Sequence, residues 1–172
     1  DYQLDLDGIA NAIDVHTKLI FICSPNNPTG NSIRRQDIET ILNNFQGLVV
    51  VDEAYINFSA VKSFTQELAE YPNLVVLQTL SKAWGLAALR LGMAFASKEI
   101  IAVYNKIKPP YNINQATQDI VLEALDQVDQ VNDWIKETVA EREKLVRELL
   151  ELDYVQHITP VSYTHLRAHE TD

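Results

Sequence analysis

Leu48-Val49-Val50-Val51-Asp52-Glu53-Ala54-Tyr55 is the stretch that sets the fold class of this chain. An unbroken apolar run that gives way at once to polar and aromatic residues reads as a strand buried on both faces, with chemistry at its carboxyl end. Similar apolar runs occupy residues 19–23, 74–77 and 91–96. Between the first two, Ile38, Ile41, Leu42 and Phe45 fall at helical spacing, and a shorter helix is expected over residues 64–69. Strands alternating with helices predict an α/β fold, a mostly parallel sheet flanked by helices. Lys108-Pro109-Pro110-Tyr111 then breaks the chain. Beyond it Ile120, Ala124, Val131, Ile135, Val139, Val146 and Leu149 trace one or two long amphipathic helices.

Composition narrows the function classes. With 172 residues, 47% of them hydrophobic, the chain can bury one sizeable core or a core and part of a second domain. Twenty-four acidic against fourteen basic residues give a net charge of −10, which disfavours nucleic acid or an anionic membrane as partner. The apolar runs are too short to span a bilayer and no secretory signal opens the chain, so a soluble, cytoplasmic protein is expected. Cys23, the single cysteine, lies inside an apolar run and is read as buried packing without redox chemistry. The chain starts at Asp1, and Leu4, Leu6 and Ile9 read as entry into a domain already under way. Residues 161–172 resemble a translated sequencing adapter and are set aside as a non-native tail. His165 and His169 belong to that tail, so no metal site is assigned to them.

In open parallel sheets ligands bind beyond the carboxyl ends of the strands. That rule selects Ser24-Pro25-Asn26-Asn27-Pro28-Thr29-Gly30 after the first strand, Asp52-Glu53-Ala54-Tyr55 after the second, and Thr79-Leu80-Ser81-Lys82 after the third. Singly these residues say little. Asp52 reads equally as a helix cap or surface carboxylate, Lys82 as a solvated lysine, Tyr55 as packing, Thr79 and Ser81 as loop hydroxyls, and Asn27 as a turn residue. Arg90, inside an apolar stretch, is harder to dismiss, because a buried guanidinium needs an anion. An amide, a carboxylate, a phenol, two hydroxyls, a lysine and an arginine in this order are together the parts of a pyridoxal phosphate site.

Those three loops, with Thr79-Leu80-Ser81-Lys82-Ala83-Trp84-Gly85-Leu86-Ala87-Ala88-Leu89-Arg90-Leu91-Gly92, make the sequence resemble the fold-type I, class I/II pyridoxal-phosphate-dependent aminotransferases. The resemblance spans residues 1–160 and implies the following. Residues 1–111 belong to a partial cofactor-binding large domain, 112–151 to a helical connection, and 152–160 to the start of a truncated small domain. Lys82 carries pyridoxal 5'-phosphate covalently and moves the substrate proton. Asp52 faces the ring nitrogen, Asn27 and Tyr55 the phenolic oxygen, and Thr79, Ser81 and Arg90 the phosphate. Lys82, Asp52 and Tyr55 are the catalytic candidates.

The implied reaction is transfer of an amino group from histidinol phosphate to 2-oxoglutarate, in histidine biosynthesis, by a homodimer when complete. Threonine-phosphate decarboxylation or aromatic transamination would keep the same residues. The fold also serves as the ligand-sensing domain of transcription regulators. The resemblance places a stacking aromatic, a backbone phosphate loop and a carboxylate-binding arginine outside the chain, so the 172 residues alone are expected to be inactive. Tyr111 and Asn112 read either as contributors to a substrate phosphate site or as ordinary loop residues.

Overall fold

The computed structural model describes residues 2–153, 155 and 158. The tail at 161–172, with His165 and His169, lies outside the described residues, as does most of the segment assigned to a small domain.

The four apolar runs are strands, β1 (Leu19–Cys23), β2 (Leu48–Asp52), β3 (Leu74–Thr79) and β4 (Gly92–Ala96), in the order β1-β2-β3-β4. The first two pairings are parallel, with Cys23 opposite Asp52 and Asp52 opposite Leu77. β4 runs antiparallel to β3. A parallel return requires a crossover long enough to carry the chain back, usually a helix. The β3–β4 connection contains only the 3-10 turn Ala87–Leu89, so the chain doubles back.

One sheet face makes the core. Ile22, Val49, Val51, Leu74 and Val76 pack with Ile38, Ile41 and Leu42 of α2 (Arg35–Asn44), and with Phe45 and Phe64. Asn73 locks this layer: its side-chain amide reaches the carbonyls of Leu42, Phe45 and Gly47 at 3.1–3.3 Å, tying the end of α2 to the start of β3. The carbonyls of Leu42 and Phe45 belong to the last turn and cap of α2, where intrahelical partners run out.

Three expectations are corrected. β1 is not buried on both faces, since Leu19 is 50% and Phe21 65% exposed. It is an edge strand, as is β4, where Gly92 and Ala94 are exposed, whereas Val50 and Val75, on the inner strands, are buried. Cys23 shares the open face and is exposed, not core packing. Residues 64–69 form no α-helix but a single 3-10 turn, Phe64–Glu67, opened by Ser63, whose hydroxyl accepts from Thr65 N. Pro72, just beyond, disfavours helical backbone at Tyr71.

Two helices have no counterpart in the sequence reading. α1 (Leu6–Ala12) is capped by Asp5 and α3 (Lys98–Ile107) by Ser97. After the proline turn follow α4 (Gln115–Leu125), capped by Asn114, and α5 (Val128–Leu150). α5 lies against the 3-10 turn Ile56–Phe58, where Arg142 Nη1 donates to the carbonyl of Phe58 at 3.2 Å. No described helix is long and apolar enough to cross a membrane.

Gly47 carries a steric constraint, because a Cβ there would strike the backbone carbonyl of Lys18 and stand 2.6 Å from the Phe45 ring. Gly47→Ala should therefore destabilise the fold by about 1–3 kcal/mol, the usual cost of overpacking. Urea unfolding of the complete protein tests this. An unchanged midpoint would contradict the packing described.

Candidate active site

Because β1, β2 and β3 are parallel, their carboxyl ends open on the same side, and the three polar loops meet there. The first loop supports itself. Asn26 N donates to Asn31 O at 2.9 Å, Asn26 Nδ2 to Thr29 Oγ1 at 2.7 Å, and Gly30 N to Asn26 O at 2.8 Å. Gly30 has a φ of 72°, a conformation that glycine adopts without steric cost. The loop projects Asn27, whose amide donates to the Tyr55 hydroxyl at 2.9 Å across 28 positions of sequence. Tyr55 itself is only 7% exposed.

Asp52 ends β2 half-buried. Its backbone carbonyl accepts from Ser24 N at 2.9 Å, and its Oδ1 accepts from Ala54 N at 3.0 Å. Asp52 and Ala54, the latter in the turn after β2, both line an open depression of about 410 Å³ with Gln78, Thr79, Gly92 and Met93. Lys82 is exposed at the end of β3, its Nζ 5.1 Å from the centroid of the Tyr55 ring, within the range of a cation–π contact.

The segment from Thr79 to Gly92 closes on itself. Thr79 Oγ1 accepts from Ser81 N at 3.0 Å and donates to Leu91 O at 3.3 Å, and Gly85, with a φ of 67°, donates from its N to Lys82 O. Arg90 ends the 3-10 turn with a φ of 54°, in the left-handed region. An arginine pays about 1–2 kcal/mol for that backbone. The expectation of a buried guanidinium is corrected: Arg90 is exposed, and Nη1 is braced at 2.8 Å on Ala87 O. Exposure follows from the turn, which carries the arginine out of the apolar run that surrounds it in sequence.

The structure thus gathers Asn27, Asp52, Tyr55, Thr79, Ser81, Lys82 and Arg90 on the loops at one end of the sheet. Tyr111 and Asn112 stand apart in the turn after α3, Tyr111 93% exposed and Asn112 accepting from Lys108. Sequence reasoning passed over Ala54, Gly92 and Gln78 as lining residues. For Ala54 the signal was available, since an aspartate at a strand end commonly accepts from the N–H two residues on, as Asp52 does from Ala54.

This set of groups fits pyridoxal phosphate. An acid, a neutral hydrogen-bonding pair, an amine, hydroxyls and a guanidinium match its ring nitrogen, phenolic oxygen, aldehyde and phosphate in kind. Among the described residues no group of three or more His, Cys, Asp or Glu could hold a metal ion.

The chain matches the family described as aminotransferase class I and II over residues 1–171. A histidinol-phosphate aminotransferase of Cytophaga hutchinsonii is 55% identical over 159 residues, covering 92% of this chain and 46% of that protein. A histidinol-phosphate aminotransferase from Sinorhizobium meliloti, solved with pyridoxal-5'-phosphate, superposes with a TM-score of 0.71 at 23% identity, over 85% of this chain and 41% of that one. An L-threonine-O-3-phosphate decarboxylase from Porphyromonas gingivalis gives a TM-score of 0.76 at 24% identity, over 91% and 48%. At such identities the superpositions show the fold alone. The chain spans about half the length of the curated relatives it matches.

Cys23 reports on the local electrostatics. Although the residue is exposed, its thiol is partly desolvated, and this first, then the Asp52 carboxylate opposite it, pushes it up from the ordinary value. Less thiolate is then present at any pH below the raised value, so alkylation is slowed. Asp52→Asn removes the like charge and should speed iodoacetamide labelling of Cys23 at mildly alkaline pH. Equal rates in the two proteins would show that the carboxylate does not act on the thiol.

Proposed function

Because the chain belongs to the class I and II aminotransferases, we propose that it forms the floor of a pyridoxal phosphate site in a protein that moves an amino group from histidinol phosphate to 2-oxoglutarate. The observation that carries the cofactor site is the meeting of three loops, with Asn27 bonded to Tyr55 and Lys82 beside the same ring. The choice of substrate rests on the 55% identity to the Cytophaga hutchinsonii enzyme, because a decarboxylase shares the fold equally well. A homodimer acting in the cytoplasm accords with this reading.

Each residue has a task set by its chemistry. Asp52 holds a proton on the ring nitrogen of the cofactor, since a facing carboxylate favours the charged ring. Pyridoxal phosphate, when bound, supplies the electron sink that makes the proton on the amine-bearing carbon removable. Lys82 anchors the cofactor through Nζ and, once released by substrate, takes that proton and returns it. Asn27 and Tyr55, joined at 2.9 Å, hold the ring's phenolic oxygen in one direction. Thr79, Ser81 and Arg90 bind the phosphate; a planar guanidinium makes a two-point contact that a lysine could not. The left-handed backbone at Arg90 is consistent with strain held for function.

Borohydride reduction of the complete, cofactor-loaded protein, followed by peptide mapping, should place the reduced cofactor on Lys82. A label on another lysine would refute the assignment. Asp52→Ala should lower turnover of histidinol phosphate with 2-oxoglutarate by on the order of 10³-fold, about 4 kcal/mol of barrier, with a smaller loss of cofactor affinity. Near-normal turnover would remove Asp52 from the ring nitrogen. Release of carbon dioxide from threonine phosphate, with no transfer from histidinol phosphate, would favour the decarboxylase.

A further inference from the structure

Glu53, between Asp52 and Ala54, is only 1% exposed. Its Oε2 accepts from Ser63 Oγ at 2.5 Å and from Gln78 Nε2 at 2.9 Å, and its Oε1 accepts from Phe64 N at 2.8 Å. Gln78 also reaches Ser63 Oγ at 3.2 Å, closing a small ring of bonds. All three donors to the carboxylate are neutral. Burying a carboxylate is costly, and an apolar side chain that filled the same space would serve stability as well or better. What the carboxylate adds is direction, because it fixes one residue of β2's end to β3 and to the turn at 63–64 simultaneously.

That direction reaches the depression by two routes. The Glu53 main chain donates from N to Leu77 O at 2.8 Å, and the next N–H, of Ala54, is the donor that holds Asp52 Oδ1. Where Ala54 N points therefore sets how the Asp52 carboxylate stands. On the other side, Gln78 is gripped by Glu53 immediately before Thr79, and both Gln78 and Thr79 line the same depression as Asp52.

We propose that Glu53 is a positioning residue, which holds the Asp52 carboxylate and Thr79 in register through its bonds to Ser63, Phe64 and Gln78. The proposal rests on the reading of Asp52 as the partner of the cofactor ring nitrogen. Glu53→Gln keeps an acceptor for Phe64 N, while the Ser63 hydroxyl and the Gln78 amide can each turn to meet the new NH₂. Glu53→Ala leaves three donors without their acceptor. Gln78→Met removes one donor at nearly constant shape and guards against an alanine variant that does not fold.

The test uses the complete protein with pyridoxal phosphate and Asp52→Asn as reference. Three quantities are followed: the pH dependence of the bound cofactor's visible absorption, cofactor affinity by dialysis, and the separate effects on kcat and KM. Glu53→Ala and Gln78→Met should move the absorption profile toward that of Asp52→Asn and weaken cofactor binding by about tenfold, on the scale of one lost hydrogen bond to a charged group. They should also lower kcat more than they raise KM. Glu53→Gln should stay near wild type. If Glu53→Ala or Gln78→Met lowers only the melting temperature and keeps the wild-type profile, Glu53 is structural and the proposal is overturned. If Glu53→Ala does not fold, the Gln78→Met profile decides in the same way. If Asp52→Asn leaves the profile unchanged, the reading of Asp52 fails and the proposal falls with it. A shift in Asp52→Asn alone defeats the proposal and leaves that reading intact.

Discussion

The parallel register of β1, β2 and β3 is the constraint on which the site depends. Cys23, Asp52 and Leu77 stand in line across the sheet, so β1 and β2 end at the same level and β3 runs two residues further, to Thr79, on the same side. Side chains alternate between faces, so a slip of β2 by one residue would turn Asp52 toward the core and Glu53 toward the depression. Such a slip would drive the Asp52 carboxylate into the aliphatic layer around Val49, Val51 and Ile38, where a charge without a partner is costly, and this opposes it. The aliphatic core layer thereby fixes where a carboxylate stands.

Local bonds refine what the register sets. Asn27 reaches Tyr55, Thr79 ties Ser81 to Leu91, and Arg90 is braced on its own turn. None of these contacts is a strong ion pair. Those of Asn27 and Thr79 are neutral hydrogen bonds, each worth about 0.5–1.5 kcal/mol, and the guanidinium bond of Arg90 is charge-assisted; together they act by limiting where the functional groups can point. The contact of α5 with Phe58, three residues past Tyr55, joins this floor to the long helix.

Much of the architecture was legible because period and punctuation are local signals. The apolar runs ending at Cys23, Val51 and Leu77 named three strands, Ile38, Ile41 and Leu42 named α2, and the polar loops named the end of the sheet that matters. Neighbours in space were not legible. An apolar run looks the same at an edge as at the centre, so Phe21 and Cys23 were read as buried. The apolar residues beside Arg90 hid a turn that carries it outward. Glu53 was quoted within its motif but given no role, because its partners lie 10, 11 and 25 positions away. No spacing rule connects a glutamate to a serine, a backbone amide and a glutamine so placed.

The central claim is that one ligand engages all three loops at the carboxyl ends of the parallel strands. A crystal structure of the complete protein with pyridoxal phosphate tests it most directly. The account requires the cofactor on Lys82, the Asp52 carboxylate within about 3 Å of the ring nitrogen, and the phosphate at Arg90, Thr79 and Ser81. A cofactor seated away from that end of the sheet, or a phosphate that does not meet Arg90, would contradict it.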